Sequence, residues 1–156
     1  MGKKSTVEMT ICDAVLEVRV PPQPHLSRVV REGVGDFARK HHIGAEDLAE
    51  FLTALGEALA NAIEHARVDE PISVEVRIDR DRIVATVRDS GVGFATEPAA
   101  DPKLPDPQAE RGRGLPIMRR CSDIFAVTSV PGMGTVVVVG RYLRPAGRGA
   151  ESESVA

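Results

Sequence analysis

The sequence predicts an α+β fold, a mixed and mostly antiparallel sheet with its helices on one face. Three observations carry that prediction. Helical patterns lie side by side in the first half of the chain, from His25 to Ala66, rather than alternating with strands. Period-two apolar alternation dominates the second half as two pairs of runs, each pair joined by a hairpin-length turn. The length of 156 residues suits a single domain, since domains most often run about 100–150 residues.

Taken in order, AVLEVRV (Ala14–Val20) alternates apolar and polar residues and reads as a half-buried strand, ended by PPQP. From His25 to Lys40, Leu26, Val29, Val30, Val34 and Phe37 fall at helical spacing, with Gly33 and Gly35 weakening the helix. After the break at Gly44, Ala45 to Ala66 forms a longer helix. Leu48, Phe51, Leu52, Leu55, Leu59, Ala62, Ile63 and Ala66 lie on one stripe of it. ISVEVRI and RIVATVRD then read as a hairpin about Asp79–Asp81. From Ala95 to Arg113 periodicity is lost, and four prolines exclude a helix or central strand. So long a loop inside a domain is a lid, a binding loop or disordered. A short helix at Leu115–Cys121 leads to two last strands, DIFAVTSV and TVVVVGRYL, joined by PGMG. Residues 1–143 are expected to be one domain and 144–156 a disordered tail.

Composition narrows the function classes. Aromatics are 3% of the chain and Trp is absent, so the core must be aliphatic. A net charge of −3 gives no basic field to draw the protein onto nucleic acid, which is excluded as a direct partner. Cys12 and Cys121 sit in no metal-ligand spacing and are expected to be buried thiols of a reducing compartment. Neither a signal peptide nor a run long enough to cross a bilayer is present, so the expectation is a cytoplasmic protein without a membrane partner.

Four segments could carry chemistry. On the long helix, Glu57, Asn61 and His65 recur every four residues and share a face opposite Leu55 and Leu59. Either that face is simply solvated, or Glu57 takes a proton and the Asn61 amide oxygen ligates Mg²⁺. His65 is read as capping or packing locally. In DSGVGF, Asp89 either ends a strand in a turn or accepts a hydrogen bond from an exocyclic amine, with Gly91 and Gly93 admitting a base. In ERGRGLPIM, Arg111, Gly112, Arg113 and Gly114 precede the short helix, where free N–H groups and guanidinium groups favour phosphate. The alternative is a glycine-rich hinge. In PGMGTV a hairpin turn is favoured, with the Thr135 hydroxyl within reach of a base. GxxxxGK[ST], GxGxxG after the first strand and GxSxG are all absent, which excludes P-loop, dinucleotide-binding and serine-hydrolase chemistry.

In this order the four segments resemble the boxes of the Bergerat-fold (GHKL) ATPases. EALANAIEHA looks like the N box, DSGVGF and GRGLPIM like the next two glycine boxes, and GMGT like the last. The small size and VPPQPHLSRVVREGVGDFAR upstream are similar to the anti-sigma regulatory factor and serine-protein-kinase family typified by SpoIIAB and RsbW. The resemblance covers about residues 14 to 142, and one departure is Arg67, where the family often carries an aromatic.

The resemblance implies a two-layer α/β sandwich that binds ATP and Mg²⁺ under a lid formed by about residues 95–113. Glu57 would be the general base and Asn61 the magnesium ligand. Asp89 would bind the adenine amine, with Gly91 and Gly93 at the base. Arg111, Gly112 and Gly114 would hold the phosphates, and Thr135 would lie near the base. The implied partners are a STAS-domain anti-anti-sigma protein, phosphorylated on Ser or Thr, a sigma factor, and a second copy in a homodimer. The expected function is therefore an ATP-dependent serine-protein kinase and anti-sigma factor. The alternatives are a non-catalytic ATP-binding regulator and a detached histidine-kinase catalytic domain.

Overall fold

A computed structural model describes residues 6–67, 69–93 and 114–144. The elements are β1 (Glu8–Cys12), β2 (Val15–Val20), α1 (Leu26–Lys40), α2 (Ala45–His65), β3 (Ile72–Ile78) and β4 (Arg82–Asp89), then α3 (Gly114–Arg120), β5 (Ile124–Val130) and β6 (Gly134–Tyr142). The strands form one sheet in the order β1-β2-β3-β4-β6-β5. All five pairings among the described strands are antiparallel.

The period-two pattern turns one face of this sheet inward. Its rows cross from strand to strand, as in Val18–Val74–Val87–Val137 and Leu16–Val76–Ala85–Val139. All eight side chains are buried. Fully burying each of the seven Val and Leu side chains among them contributes about 1.5–3 kcal/mol. The helices cover this face, α1 against β2, α2 across β4 and β6, and α3 against β5. α1 presents Leu26, Val30, Val34 and Phe37, and α2 presents Leu48, Phe51, Leu55 and Leu59. As the composition required, the buried core among the described residues is aliphatic apart from Phe37, Phe51 and Met118.

The sequence reading missed β1. Its hairpin with β2 turns on Asp13 and Ala14, with Asp13 at φ 51°. A two-residue hairpin turn is normally signalled by a glycine in the pair, and Ala14 conceals it. Gly33, which had looked only like a weakness in α1, lies under β1: a Cβ there would stand 2.6 Å from the Met9 sulfur and terminal methyl, the movable end of a flexible side chain. Cys12, expected to be buried, is exposed, because β1 is an edge strand and Cys12 lies in the outward-facing row of Val15; Cys121 is half-buried.

Among the described residues, a charged cluster centres on a buried guanidinium and carboxylate. Arg141 of β6 is 9% exposed and donates to Asp47 Oδ1 at 3.2 Å, to Glu50, and to the Cys121 carbonyl oxygen at 3.3 Å. The Arg144 N–H donates to the other Asp47 oxygen at 3.3 Å. The start of α2, the segment after α3 and the end of β6 are thereby tied together. Asp47→Ala is expected to cost about 3 kcal/mol or more in urea unfolding, because it leaves a buried guanidinium short of a partner. Adding Arg141→Met should recover part of that loss. A loss below about 1 kcal/mol would mean the pair behaves as a surface ion pair.

Candidate functional site

The candidate residues gather along α2. Glu57, Asn61 and His65 share a face, and all three are half-buried rather than solvated. That face is closed in because α3 packs on α2 and the segment after β4 passes beneath its C-terminus. A Cβ on Gly114, the first residue of α3, would lie 3.2 Å from Glu57 Oε2, so the carboxylate rests against the start of the short helix. From Glu57 to His65 the helix rises about 12 Å at 1.5 Å per residue.

At the far end of α2, DSGVG threads between two other backbones. A Cβ on Gly91 would meet the His65 carbonyl oxygen at 1.9 Å, and one on Gly93 would meet the Val130 carbonyl oxygen at 2.2 Å. A Cβ on Gly134 would meet the Asp89 carbonyl oxygen at 2.0 Å. The Gly132 N–H donates to the Val92 carbonyl oxygen at 2.7 Å, binding this segment to the β5–β6 turn. These distances admit no side chain, so the glycines of both boxes are needed for the crossing itself.

Asp89 ends β4 inside this crossing and is 8% exposed. Its Oδ1 accepts from the Gly91 N–H at 2.9 Å. Burial pushes its pKa above the ordinary carboxylate value, and the Gly91 amide, the charge of His65 and the Thr135 amide oppose that shift. Thr135 stands opposite Asp89 in the sheet and is 2% exposed. Its hydroxyl lies 2.7 Å from Ser129 Oγ.

The structure thus divides the expected site residues into two groups. Asp89, Gly91, Gly93 and Thr135 come together at the C-terminal end of α2, and Glu57 and Gly114 come together two turns earlier. Asn61 lies between them on the same face. Arg111, Gly112 and the rest of residues 94–113 lie outside the described residues. His65, read from sequence as local packing, also faces the site through its charge interaction with Asp89. Ser129 was missed, since only the strand register brings it to the Asp89 cluster; Gly134 was read as part of the last glycine box, without its contact to Asp89.

Among the described residues no group of three His, Cys, Asp or Glu side chains could hold a metal ion. A single amide oxygen at Asn61 nevertheless fits Mg²⁺, which keeps waters and takes further ligands from phosphates. A buried carboxylate beside backbone donors fits one end of a nucleotide, and a glycine helix start beside a carboxylate fits the other.

Residues 20–140 match the family of histidine kinase-like ATPase domains. The chain belongs to that family. An anti-sigma F factor of Oceanobacillus iheyensis is 33% identical over 122 residues, covering 72% of this chain and 82% of that protein. The serine-protein kinase RsbW of Bacillus velezensis is 28% identical over 138 residues, covering 82% and 85%. Within the family, the chain therefore falls in the anti-sigma factor and serine-protein-kinase branch. In solved structures, the RsbU and RsbW domains of a Mycobacterium tuberculosis protein share the fold. The TM-score is 0.63 at 17% identity, over 85% of this chain and 33% of that one.

The glycine crossing gives a graded test. Gly134→Ala, at φ 107° and 2.0 Å from the Asp89 carbonyl oxygen, should lower stability more than Gly132→Ala, which has φ 80° but open space around it. The second change should cost only the left-handed backbone strain, about 1–2 kcal/mol. Equal losses in thermal unfolding would show that the crossing is looser than the structure has it.

Proposed function

We propose that this chain is a cytoplasmic, Mg²⁺-dependent serine-protein kinase of the partner-switching kind. It would phosphorylate a Ser or Thr of a STAS-domain anti-anti-sigma protein and sequester a sigma factor. The observation that carries this reading is the placement of Glu57. Its carboxylate rests against the first residue of α3, two helical turns from the Asp89 cluster, a separation on the scale of a nucleotide from base to last phosphate.

In this reading Asp89 accepts the amine of adenine, while Gly91 and Gly93 hold the backbone against it and Thr135 lies beside the base. Arg111, Gly112 and Gly114 hold the phosphates, and Asn61 supplies one oxygen to Mg²⁺, which offsets phosphate charge. Glu57 orients the substrate hydroxyl and takes its proton. The serine oxygen forms its bond to the γ-phosphorus as the bond to the bridging oxygen of ADP breaks, in line. Pairing of two copies is part of the proposal. It is supported by the place of β1 at the edge of the sheet among the described residues and by exposed Met9 and Ile11 on it and Val29 of α1. No helix of the described residues is long and apolar enough to cross a membrane.

Two experiments test this. With γ-labelled ATP and a STAS-domain partner, the wild type should transfer label to a serine or threonine. Glu57→Gln should reduce transfer about a hundredfold or more while ATP still binds. Tight binding of ATP and partner without transfer would leave the non-catalytic regulator, and acid-labile label would mean a histidine acceptor.

The second experiment follows ATP affinity against pH. The amine needs an ionised acceptor, so affinity should hold at neutral pH and fall on acidification through a midpoint above 3.8, the ordinary carboxylate value. Asp89→Asn should lose at least about tenfold in affinity, since a hydrogen bond to a charged group contributes about 1.5–3 kcal/mol. It should also flatten the profile. Unchanged binding by the variant would remove Asp89 from the base site.

A further inference from the structure

α3 has little hold of its own. It has seven residues, and Met118 is the one that is buried. A helix so short is marginal by itself, so its surroundings must place it. One apolar side chain sets how close α3 lies to α2 but leaves it free to slide along it. Yet its first residue must meet a particular group, since a Cβ on Gly114 would lie 3.2 Å from Glu57 Oε2.

After α3 the chain is tied to the sheet. The Asp123 N–H donates to the Gly140 carbonyl oxygen at 2.8 Å, and Asp123 Oδ2 accepts from the Tyr142 N–H at 2.9 Å. Arg141 adds a tie to α2. Its guanidinium donates to Asp47 and Glu50 of α2 and to the Cys121 carbonyl oxygen. Guanidinium groups only donate, and carbonyl and ionised carboxylate oxygens only accept, so the direction of these bonds is fixed. Cys121 continues the helical bonding of α3, its N–H donating to the Ile117 carbonyl oxygen at 3.0 Å. Arg141 thus places a cation at the C-terminal end of α3, where the helix favours one.

The two contacts between the helices are in register. Glu50 and Glu57 are seven residues apart on α2, and Cys121 and Gly114 are seven apart along α3. Both stretches rise about 10 Å at 1.5 Å per residue. The helices therefore run antiparallel, touching at Glu57 and Gly114 and joined through Arg141 at Glu50 and Cys121.

We infer that Arg141 is a positioning residue for phosphoryl transfer, setting the register at which the start of α3 meets Glu57. This rests on the reading of Glu57 as the general base. Without Arg141, α3 can slide about Met118, and Glu57 loses the backbone that it rests against. The Asp89 cluster, two helical turns beyond Glu57, is left as it was. A misplacement of about 1 Å at a reacting group can cost about a hundredfold in rate.

The test is steady-state transfer from γ-labelled ATP to a STAS-domain partner, with urea unfolding of the same variants, at a temperature where each is folded. Arg141→Met should lower kcat about tenfold or more and leave KM for ATP unchanged. Asp47→Ala keeps the bonds from Arg141 to Glu50 and Cys121, whereas Asp47→Ala with Arg141→Met loses them. The double variant should be the more stable of the two and yet the slower. A merely structural role would rank rate and stability alike. Arg144→Ala, which removes an exposed pair with Glu46, should leave transfer unchanged. Should Arg141→Met not fold alone, the double variant carries the comparison. An unchanged kcat, a rise in KM alone, or rates that follow stability overturn the inference. A wild type that transfers no label overturns the kinase reading, and this inference with it.

Discussion

The site depends on three stretches of backbone crossing with no side chain between them. The end of α2, the strand end of β4 with the residues after it, and the β5–β6 turn meet at Gly91, Gly93 and Gly134. Were any of these to carry a Cβ, a carbonyl oxygen would have to move by an ångström or more, and Asp89 would move with it. The crossing sets where β4 ends, how far α2 runs before its last carbonyl meets the loop, and how the last hairpin sits over both. Glycine in such a box is therefore a packing requirement first, and any approach by a ligand is built on top of it.

The other end of α2 is held by different physics. There the Arg141 guanidinium is taken from water and matched to Asp47 and Glu50 in the first turns of the helix. The same guanidinium holds the carbonyl oxygen of Cys121, just past α3. One helix is thus anchored by close backbone contact at its C-terminus and by charge at its N-terminus. Glu57 and Asn61 lie between the two anchors, on a part of the helix whose position is determined from both sides.

Much of this was legible in the residue order. Periodicity placed β2 to β6 and all three helices to within about a residue, because each presents a clean apolar stripe or alternation. The four boxes placed Glu57, Asn61, Asp89, Gly91, Gly93, Gly114 and Thr135 on the elements where they stand. β1 was hidden because Ala14 occupies a turn that usually shows a glycine, and because none of its five residues is buried. Ser129 and Arg141 were hidden for another reason. Their roles arise from the register between β4, β6 and β5, and alternation says which side a residue faces but not what it stands opposite. An arginine or serine in a strand then reads as solvated until the partner strand is known.

The burial of Asp89 has a consequence for how such a protein can change. Because burial raises its pKa, the ionised carboxylate weakens the empty protein as pH rises past that pKa. Loss of the charge would relieve this. A neutral residue at this position would escape that pH dependence, but only one that still accepts from the Gly91 N–H would keep the turn satisfied. What holds the acid there in the described structure is the turn itself, where its Oδ1 accepts from the Gly91 N–H.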